Sequence, residues 1–346
     1  MQLNHTETFG IKREVIKIPS HIEMPLIGCI AFGIIDRGTN TIQIRPSTLC
    51  PLSCIFCSTD AGPKSMKRLC EFIVELDYLL PWVKKVVEFK GGKGIEAHID
   101  TIGDPLTYPF LVDLVHKLND IKGINIISMQ THGFLLSEKL VDDLAESGLS
   151  RINLSIDALD SEMTKYLTST ESYDINRILA IAEYITNSCI DLLIAPVWVP
   201  PINDLEIPKI IEYAKRIHAG KKWPPLGIQK FEFHKYGRKP KNAKFISWKK
   251  FYEQLKYWEE KFDVKLILHP EDFGIFKTPK IPHVFKKYEK IKAKIVGFGL
   301  FRGQKLAVAK NRIITVINSE EVPLESKLYI KILRVKDNIF IAEPTL

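Results

Sequence analysis

The 346-residue chain has 45% hydrophobic and 26% charged residues and a formal net charge of +8 at pH 7. This is the composition of an ordinary globular protein, and the length allows one large domain and a second small one. No apolar stretch approaches the ~20 residues of a membrane span, and the first 15 residues, MQLNHTETFGIKREV, lack the apolar core of a signal peptide. We therefore expect a cytoplasmic protein without a membrane span, in which thiols stay reduced and no disulfide framework is needed. The abundance of Ile, Lys and Glu is typical of a thermophile or of an AT-rich genome.

The positive charge is unevenly distributed along the chain. Residues 280–346 contain 14 Lys and Arg against six Asp and Glu, so this C-terminal fifth holds the whole formal excess. Such an asymmetry indicates a polyanionic partner, RNA or DNA, or an anionic membrane surface.

The first predicted strand of the central region, TIQIR at 41–45, leads into a run with three closely spaced cysteines. In RPSTLCPLSCIFCSTDAG, Cys50, Cys54 and Cys57 are spaced C-x3-C-x2-C. Thiolates are the soft ligands that iron–sulfur clusters select, and three of them can bind three irons of a [4Fe–4S] cube, leaving the fourth iron open. A zinc site is the alternative, but structural zinc usually takes four ligands, and Cys70 is the only further cysteine nearby.

Strands and helices alternate from the cysteine run to about residue 235. An amphipathic helix is expected over 66–87, with Cys70 on its buried face. A later helix should begin after the N-cap Ser137 and end at Gly148. The other strands are predicted in GIEAHIDTIGDP, INIISMQTHG, RINLSIDALD, DLLIAPVWVP and LGIQKFEFHKYG, and the other helices in FLVDLVHKLNDI, in the residues up to 187, and in LEIPKIIEYAKRIHAG. Short apolar strands separated by helices predict βαβ units and a parallel sheet.

The cysteine spacing, with the aromatic Phe56 before the last cysteine, resembles the signature of the radical S-adenosylmethionine (radical SAM) superfamily. The six strands resemble the partial (β/α)6 barrel of that superfamily, a TIM-like α/β fold whose chemistry gathers at the carboxyl ends of the strands. The resemblance implies a [4Fe–4S] cluster on Cys50, Cys54 and Cys57, with SAM bound to the open iron. It also implies reductive cleavage of SAM to a 5′-deoxyadenosyl radical, with electrons from a flavodoxin- or ferredoxin-type donor.

The resemblance extends to residues at two strand ends. Gly103, Asp104 and Pro105 stand where the superfamily carries a Gly-Gly-Glu-type motif that holds the amino group of SAM. A carboxylate suits a buried ammonium, although Gly-Asp-Pro is also turn chemistry in any protein. Thr131 and His132 match a Thr-Asn-Gly motif at the end of the third strand, with His in place of Asn, and His132 is expected to line the site.

Three further strand ends are assigned in the same way. Asn153, Ser155 and Asp157 share one face of the fourth strand, and the superfamily uses Ser at such a position for the ribose or carboxylate of SAM. A hydrogen-bonded network inside the barrel is the alternative for Asn153. Pro196 and Gln229 mark the ends of the fifth and sixth strands, where the superfamily packs the adenine.

The remaining cysteines predict a single cluster. Cys29, Cys70 and Cys189 are scattered and have no ligand spacing, so they are expected to be core residues. Cys29, in PLIGCIAFG, is the one expected to approach the site. Arg45, before the cysteine run, is expected either to meet the carboxylate of SAM or to hold the loop.

From about residue 291 the pattern changes to short alternating strands broken by Gly, Asn, Pro and Asp, which predicts a small all-β barrel. It resembles the TRAM domain that several RNA-modifying enzymes carry, and this implies a grip on tRNA. Arg302, Lys305, Lys310 and Arg312 are the predicted phosphate ligands. A surface merely decorated with lysines is the alternative. A second basic run, HKYGRKPKNAKFISWKKFY at 234–252, follows the sixth strand.

The sequence thus predicts an N-terminal extension (1–40), a radical SAM partial barrel (41–284) and a C-terminal barrel (285–346). The leading hypothesis is a one-cluster radical SAM enzyme that modifies an RNA, most plausibly tRNA. A radical SAM enzyme for a peptide, a lipid or a small metabolite, with the C-terminal region as scaffold or lid, is the second hypothesis. A cluster-bearing RNA-binding or electron-transfer protein without catalysis is the third.

Overall fold

The computed structural model describes residues 10, 12–19 and 24–345, and its strands and helices follow the predicted alternation. Residues 1–9, 11 and 20–23 of the predicted N-terminal extension lie outside the described part. The strands are β1 (Glu14–Ile18), β2 (Gly33–Asp36), β3 (Thr41–Arg45), β4 (Cys70–Val74), β5 (Ile95–Ile99), β6 (Ile124–Thr131), β7 (Arg151–Leu154), β8 (Asp191–Ile194), β9 (Val197–Trp198), β10 (Gln229–Lys230), β11 (Lys290–Phe298), β12 (Lys305–Ala309), β13 (Arg312–Val316), β14 (Lys327–Lys336) and β15 (Ile339–Pro344). The helices are α1 (Leu76–Phe89), α2 (Leu111–Asn119), α3 (Glu138–Glu146), α4 (Ser161–Thr168), α5 (Ile175–Asn187), α6 (Glu206–Arg216) and α7 (Trp248–Phe262), with short 3₁₀ helices at Pro105–Thr107 and Pro270–Phe273.

The central sheet has six strands in the order β2-β3-β5-β6-β7-β8. Strand β2 is antiparallel to β3, and every other neighbouring pair is parallel. The sixth predicted strand corresponds to the segment that contains β10. It follows β8 at the edge of the sheet, through a bridge from Ile194 to Leu226 and the parallel pairing of β9 with β10. The parallel sheet predicted from the sequence is therefore confirmed, and β2 extends it by one antiparallel strand.

Helix boundaries follow the expected local chemistry. The Ser137 hydroxyl accepts the Leu140 N–H at 3.2 Å and caps α3, as predicted. Gly148 follows that helix with φ +98°, a conformation that favours glycine. Helix α6 illustrates amphipathic packing, because the residues that it buries recur at helical spacing and its apolar ones join the main core. The buried residues are Glu206, Ile207, Ile210, Ile211, Tyr213 and Ala214.

The helix predicted over 66–87 is wrong in its first half. Residues Cys70–Val74 form β4, which pairs in parallel with β1, and α1 begins only at Leu76. All five residues of CEFIV are buried. A short run that is buried on every side has no periodicity, so its sequence cannot distinguish a strand from a helical turn. Cys70 is therefore a buried strand residue, and its Sγ donates to the Gly299 carbonyl at 3.4 Å.

The C-terminal region forms a closed five-stranded barrel in the order β11-β12-β13-β15-β14, as the sequence predicted. Along β11, Ile291, Ala293 and Ile295 point inward while Lys290, Lys292 and Lys294 are exposed. This alternation with period two gives the barrel its own small core, which also includes Phe285, Ile330, Ile332 and Phe340.

The C-terminal barrel is also packed tightly on the α/β unit. Leu300, Phe301 and Ile313 are buried in the main core. Backbone hydrogen bonds join the two parts, from Leu69 N to Leu300 O at 2.8 Å and from Ile313 N to Ile27 O at 3.0 Å. The barrel is thus built into the structure as a wall of the α/β unit. Within the described residues, no helix combines the length and hydrophobicity that crossing a membrane would require.

Candidate active site

The three cysteines lie in the loop between β3 and β4, after the carboxyl end of the first parallel strand. Cys50 and Cys54 are buried, Cys57 is half-buried, and the Cys57 N–H donates to the Cys54 carbonyl at 3.1 Å. All three line a cavity of about 940 Å³ together with Phe56. This volume lies at the upper end of the range for ligand pockets.

A buried ion-pair network holds both ends of the loop. Arg68 and Glu71 have fully buried side chains and form a 2.9 Å pair. Arg68 also donates to the carbonyls of Thr48 and Thr59, at 2.7 and 3.0 Å. Glu71 is paired a second time, with Arg13 at 2.8 Å. Because both charges are paired and hydrogen-bonded, the pairing offsets the desolvation cost of burying them, and the network fixes the loop in one conformation.

Arg238 braces the same loop from the other side of the cavity. Its Nε pairs with Asp60 at 2.8 Å, and its guanidinium donates to the Cys54 carbonyl at 2.9 Å. Its backbone N–H donates to Cys57 O at 2.8 Å, and a Cβ at the preceding residue, Gly237, would lie 3.0 Å from the same oxygen. Arg238 belongs to the second basic run, so its charge serves the cysteine loop and is not available to a polyanion. Only the tertiary contact reveals this role.

The environment of the thiols suits a cluster. Burial raises the pKa of Cys50, and the charges of Asp104 and Cys57 add to the shift. Burial likewise raises the pKa of Cys54, where the charges of Cys50 and Cys57 add to it. Thiolates at these positions therefore require a bound cation, and cluster iron is such a cation. The Ala61 N–H donates to Cys57 Sγ at 3.3 Å, a contact typical of the sulfur ligands of iron–sulfur proteins.

The three thiols are arranged around one cavity. Among the described residues, no three Cys, His, Asp or Glu side chains converge in the way that a single metal ion requires. A tetrahedral zinc site needs such convergence. A cube binds one thiolate at each iron, so its ligands surround a space and do not meet at a point. The three cysteines around a common cavity fit the second case.

Gly103 and Asp104 have distinct roles at the end of β5. Gly103 lines the cavity, and a Cβ there would lie 2.0 Å from Leu49 O, so only glycine allows the strand end to approach the cysteine loop. The Asp104 carboxylate is buried and accepts Leu106 N at 3.0 Å, Thr131 Oγ1 at 2.8 Å and His132 N at 3.0 Å. It joins two strand ends and is enclosed by protein donors. The structure thus shows the Gly-Asp-Pro motif as a turn. Binding of the SAM amino group by this motif stays a prediction, and the backbone beside Gly103 is the part that faces the cavity.

His132 lies beside the cysteine loop. It lines the cavity, with Nε2 3.9 Å from Cys54 Sγ and Nδ1 3.7 Å from Asp157. Asp157 is buried and accepts Val197 N at 2.7 Å, and burial raises the pKa of its carboxyl. Tyr173 donates to the His132 carbonyl at 3.0 Å, and this bond helps to hold His132 in place beside the cysteine loop.

The other predicted residues divide between the cavity and its supports. Ser155 and Gln229 line the cavity, and Gln130 Nε2 donates to Ser155 Oγ at 2.7 Å. Pro196 is buried and accepts Gln229 N at 2.7 Å. Asn153 accepts Arg151 Nε at 3.0 Å, which is the structural alternative named for it. Of the residues predicted to bind the cofactor, those that do not line the cavity are Asp104, Pro105, Thr131, Asn153, Asp157 and Pro196.

Sequence reasoning missed a polar relay in the barrel interior. His98 lines the cavity, and its Nδ1 lies 2.7 Å from Ser128 Oγ, which donates to Glu96 at 2.6 Å. Arg151 pairs with Glu96 at 2.6 Å. Because the Ser128 proton goes to the carboxylate, Ser128 accepts from His98 Nδ1–H, and this fixes the tautomer of the ring. His98, Ser128 and Arg151 are register neighbours on β5, β6 and β7. An alignment of these strands was the signal that could have predicted the relay.

Arg45 and Cys29 also line the cavity. Arg45 donates to Asp100 at 2.9 Å and to the Ile30 carbonyl at 2.5 Å, so it holds neighbouring segments in place. Cys29 is buried, and its Sγ lies 3.8 Å from Thr315 Oγ1 of β13. Cys29 therefore reaches the cavity where the C-terminal barrel closes it.

The C-terminal barrel supplies one wall of this cavity. The wall has an apolar part, formed by Leu300, Phe301, Leu306, Ile317, Ile339 and Ile341, and a polar part, formed by Gln304, Thr315, Arg334, Lys336 and Asp337. Phe301 stacks on Tyr236 of the facing segment with ring centroids 4.1 Å apart. The exposed Arg334 and Lys336 of β14 line the rim, as do the exposed His234 and Lys235, together with the half-buried carboxylates Asp337 and Glu232.

The four predicted phosphate ligands do not form one surface. Lys305 is buried and donates to the carbonyls of Ser319 and Glu320, at 2.7 and 2.6 Å, so the structure takes it out of the set. Lys310 is paired with Glu289 at 2.9 Å, and Arg312 is half-buried, which lowers its pKa. Arg302 is exposed.

Comparisons with known proteins agree with this site. A family model described as the radical SAM superfamily matches residues 44–214. MJ0103 of Methanocaldococcus jannaschii, described as uncharacterized, is 46% identical over 98% of this chain and 83% of its own length. A GTP 3′,8-cyclase of Alkaliphilus oremlandii is 32% identical over 51% of this chain, and the match spans about half of that enzyme, 53%. Among solved structures, SuiB of Streptococcus suis matches 65% of this chain and 47% of its own, with 17% identity and a TM-score of 0.49.

Proposed function

We propose that this chain, which belongs to the radical SAM superfamily, holds a [4Fe–4S] cluster on Cys50, Cys54 and Cys57 and cleaves SAM reductively. The observation that carries the proposal is the common cavity around the three thiols and the strand ends. When bound and reduced by a flavodoxin- or ferredoxin-type donor, a cluster on these thiolates would supply the electron for cleavage of SAM to a 5′-deoxyadenosyl radical and methionine. Since the chain is a radical SAM enzyme, the hypothesis of a protein without catalysis is set aside.

The residues of the chain have three tasks in this proposal. Arg68 and Arg238 hold the cysteine loop, so the three thiolates are preorganised before the cluster binds. The backbone at Gly103, with Ser155 and Gln229, offers polar groups to SAM. The apolar wall around Phe301 excludes water from a radical that would otherwise react with solvent or protein.

The substrate that we propose is a nucleotide of RNA, with tRNA as the first candidate. Exposed cations of two segments line the cavity rim, Arg334 and Lys336 of β14 and Lys235 after β10, and they outnumber the carboxylates Asp337 and Glu232 there. Such a rim favours a substrate with phosphate groups. The similarity to an enzyme that acts on GTP supports the nucleotide class. Because that enzyme is matched over only half of its length, the similarity does not specify the substrate further.

A free nucleotide or another small metabolite is the second candidate. The observation that favours it is the C-terminal barrel itself, which closes one side of the cavity as a wall or lid. A cavity that is closed on one side can enclose a complete small molecule. An RNA would instead have to insert a single base through the rim.

The test uses anaerobically reconstituted, reduced protein and measures 5′-deoxyadenosine by chromatography. We expect slow SAM cleavage without substrate, and an increase when the true substrate class is added. Total tRNA is compared with GTP and ATP, and the digested tRNA is searched for new nucleosides by mass spectrometry. Absence of SAM cleavage in iron-loaded, reduced protein would overturn the proposal. Stimulation by free nucleotides but not by tRNA would select the second candidate.

A further inference from the structure

Three exposed aromatic side chains form a connected surface after the sixth strand. Phe245, Trp248 and Tyr252 are 61%, 54% and 46% exposed. Trp248 and Tyr252 lie one helical turn apart at the start of α7 and stack with ring centroids 5.9 Å apart. Large aromatic groups in such a connected patch are unusual on a protein surface without a partner. We call these three residues the aromatic platform.

The platform is rigid. The ammonium of Lys230 lies 4.5 Å from the centre of the Phe245 ring and 5.0 Å from that of Trp248, so one cation holds both rings. The side chain of Lys230 is fully buried and pairs with Glu232. Trp248 packs edge-on against the buried Phe251, with centroids 5.7 Å apart. The faces of the exposed rings are therefore presented in a fixed position, which lowers the entropy that a partner must overcome.

The surroundings of the platform are strongly basic. Residues 230–252 contain eight Lys and Arg and a single Glu. Lys239, Lys241, Lys244 and Lys250 are exposed. Among the ion pairs of the described residues, those of this segment are Lys230–Glu232, Arg238–Asp60 and Lys249–Glu253, at 2.5, 2.8 and 3.9 Å. Most of these ammonium groups thus remain free to meet an anion.

The platform continues into the cavity. Lys230 and Glu232, which hold the rings, also line the cavity, as does Phe231. Phe231 in turn packs edge-on against the exposed Phe233, with centroids 5.0 Å apart. A ligand on the platform is therefore led toward the space in front of the cysteine loop.

We propose that the aromatic platform, Phe245, Trp248 and Tyr252, with the surrounding lysines, binds single-stranded RNA and directs it to the cavity rim. The proposal rests on the proposed function and moves the RNA contact from the C-terminal barrel to residues 230–252. Bases stack on exposed aromatic faces whatever their sequence, while ammonium groups follow the phosphates. An acidic protein is the competing occupant, and a preference of the surface for such a protein over oligo(rU) would count against the proposal.

The first test measures the fluorescence anisotropy of a labelled 12-nucleotide oligo(rU) with reconstituted full-length protein over a range of salt concentrations. Stacking of one base corresponds to about 1–3 kcal/mol, so Trp248→Ala and Phe245→Ala should each weaken binding by about tenfold. Trp248→Tyr should restore most of the affinity, because a ring remains. Lys241→Ala with Lys244→Ala should reduce the salt slope by roughly one to two units.

Matched controls lie elsewhere on the surface. Tyr166→Ala removes an aromatic side chain with similar exposure, 50%, on α4. Lys84→Ala with Lys85→Ala removes two exposed lysines from α1. Neither control should change the affinity or the salt slope. Failure of the wild-type protein to bind oligo(rU) at low salt would overturn the proposal, as would equal binding by wild type and both ring variants.

SAM cleavage is measured on the same variants to separate the two proposals. The platform variants should produce 5′-deoxyadenosine in the absence of RNA at the wild-type rate. Oligo(rU) binding that depends on the rings, in a protein that does not cleave SAM, would support the platform and overturn the proposed function. Heparin competition provides a further check on stacking. If the ring substitutions change neither heparin competition nor oligo(rU) binding, the surface binds anions by charge alone and the stacking proposal is overturned.

Discussion

The cysteine loop and the C-terminal barrel were both predicted to bind a ligand. In the folded chain the predicted ligands of the loop lie together, whereas those of the barrel do not. In the loop, Cys50, Cys54 and Cys57 all line the cavity. In the barrel, Lys305 donates to internal carbonyls and Lys310 is paired with Glu289. Ligands within eight residues stay together in almost any loop conformation. Cations distributed over several strands are placed by the fold, and a charge count does not reveal which of them are already used.

The largest effect tests the loop. Cys54→Ser should abolish stable [4Fe–4S] binding and reduce SAM cleavage below detection, because a cube held by two thiolates is easily lost. Iron content, brown absorbance and 5′-deoxyadenosine are measured after anaerobic reconstitution. The matched control is Cys189→Ser, which should retain all three properties, because Cys189 is exposed and the expectation that it is a core residue is wrong. A full complement of iron in Cys54→Ser would contradict the assignment of this cysteine.

The next effect tests the barrel as a wall. Phe301 is buried and stacks on Tyr236, so Phe301→Ala should lower the free energy of unfolding by about 3 kcal/mol. Phe298→Ala is the control, since that ring is 40% exposed and should change stability by less than about 0.5 kcal/mol. Urea unfolding of both variants gives the comparison. Equal stabilities would mean that the barrel and the α/β unit are independent, and deletion of residues 285–346 would then be tolerated.

A smaller effect separates the buried from the exposed cation of the barrel. Lys305→Met leaves the carbonyls of Ser319 and Glu320 without their donor and should cost about 1–3 kcal/mol of stability. It should not change the salt dependence of RNA binding. Arg302→Ala removes an exposed group and should leave stability within about 0.5 kcal/mol of wild type. A reduced salt slope in Lys305→Met would return this residue to the set of phosphate ligands.

The smallest effect is a pH dependence from the barrel interior. Burial lowers the pKa of His98 in the folded protein, with Asp100 and Glu96 opposing and Arg151 and Arg45 reinforcing the shift. The unfolded chain therefore takes up a proton near pH 6.5 that the folded protein does not, and stability falls as the pH decreases below that value. The slope is at most about 1.4 kcal/mol per pH unit.

His98→Gln should remove this contribution, so the difference in unfolding free energy between pH 7.5 and pH 5.5 should become smaller than in wild type. His116→Gln, at an exposed position of α2, serves as the control and should leave the difference unchanged. An unchanged difference in His98→Gln would mean that His98 is protonated equally in the folded and unfolded states.

The sequence by itself determined the features that depend on neighbours along the chain. The cysteine spacing, the Ser137 cap, the alternation of strands and helices and the period-two pattern of β11 all reappear in the structure. Each is set within about ten residues, the range over which capping, periodicity and ligand spacing act. The exception is Cys70–Val74, where burial on every side removed the periodicity on which such a prediction depends.

Only the tertiary structure decided which distant groups meet. Arg238 braces the cysteine loop from more than 180 positions away, Phe301 closes the cavity against Tyr236, and Asp104 is enclosed by donors from the neighbouring strand. A charged residue can face solvent, a ligand or an internal partner, and these outcomes have the same local sequence pattern. The choice among them depends on contacts between segments far apart in the chain, because burying a charge is tolerated only where the fold supplies its partner.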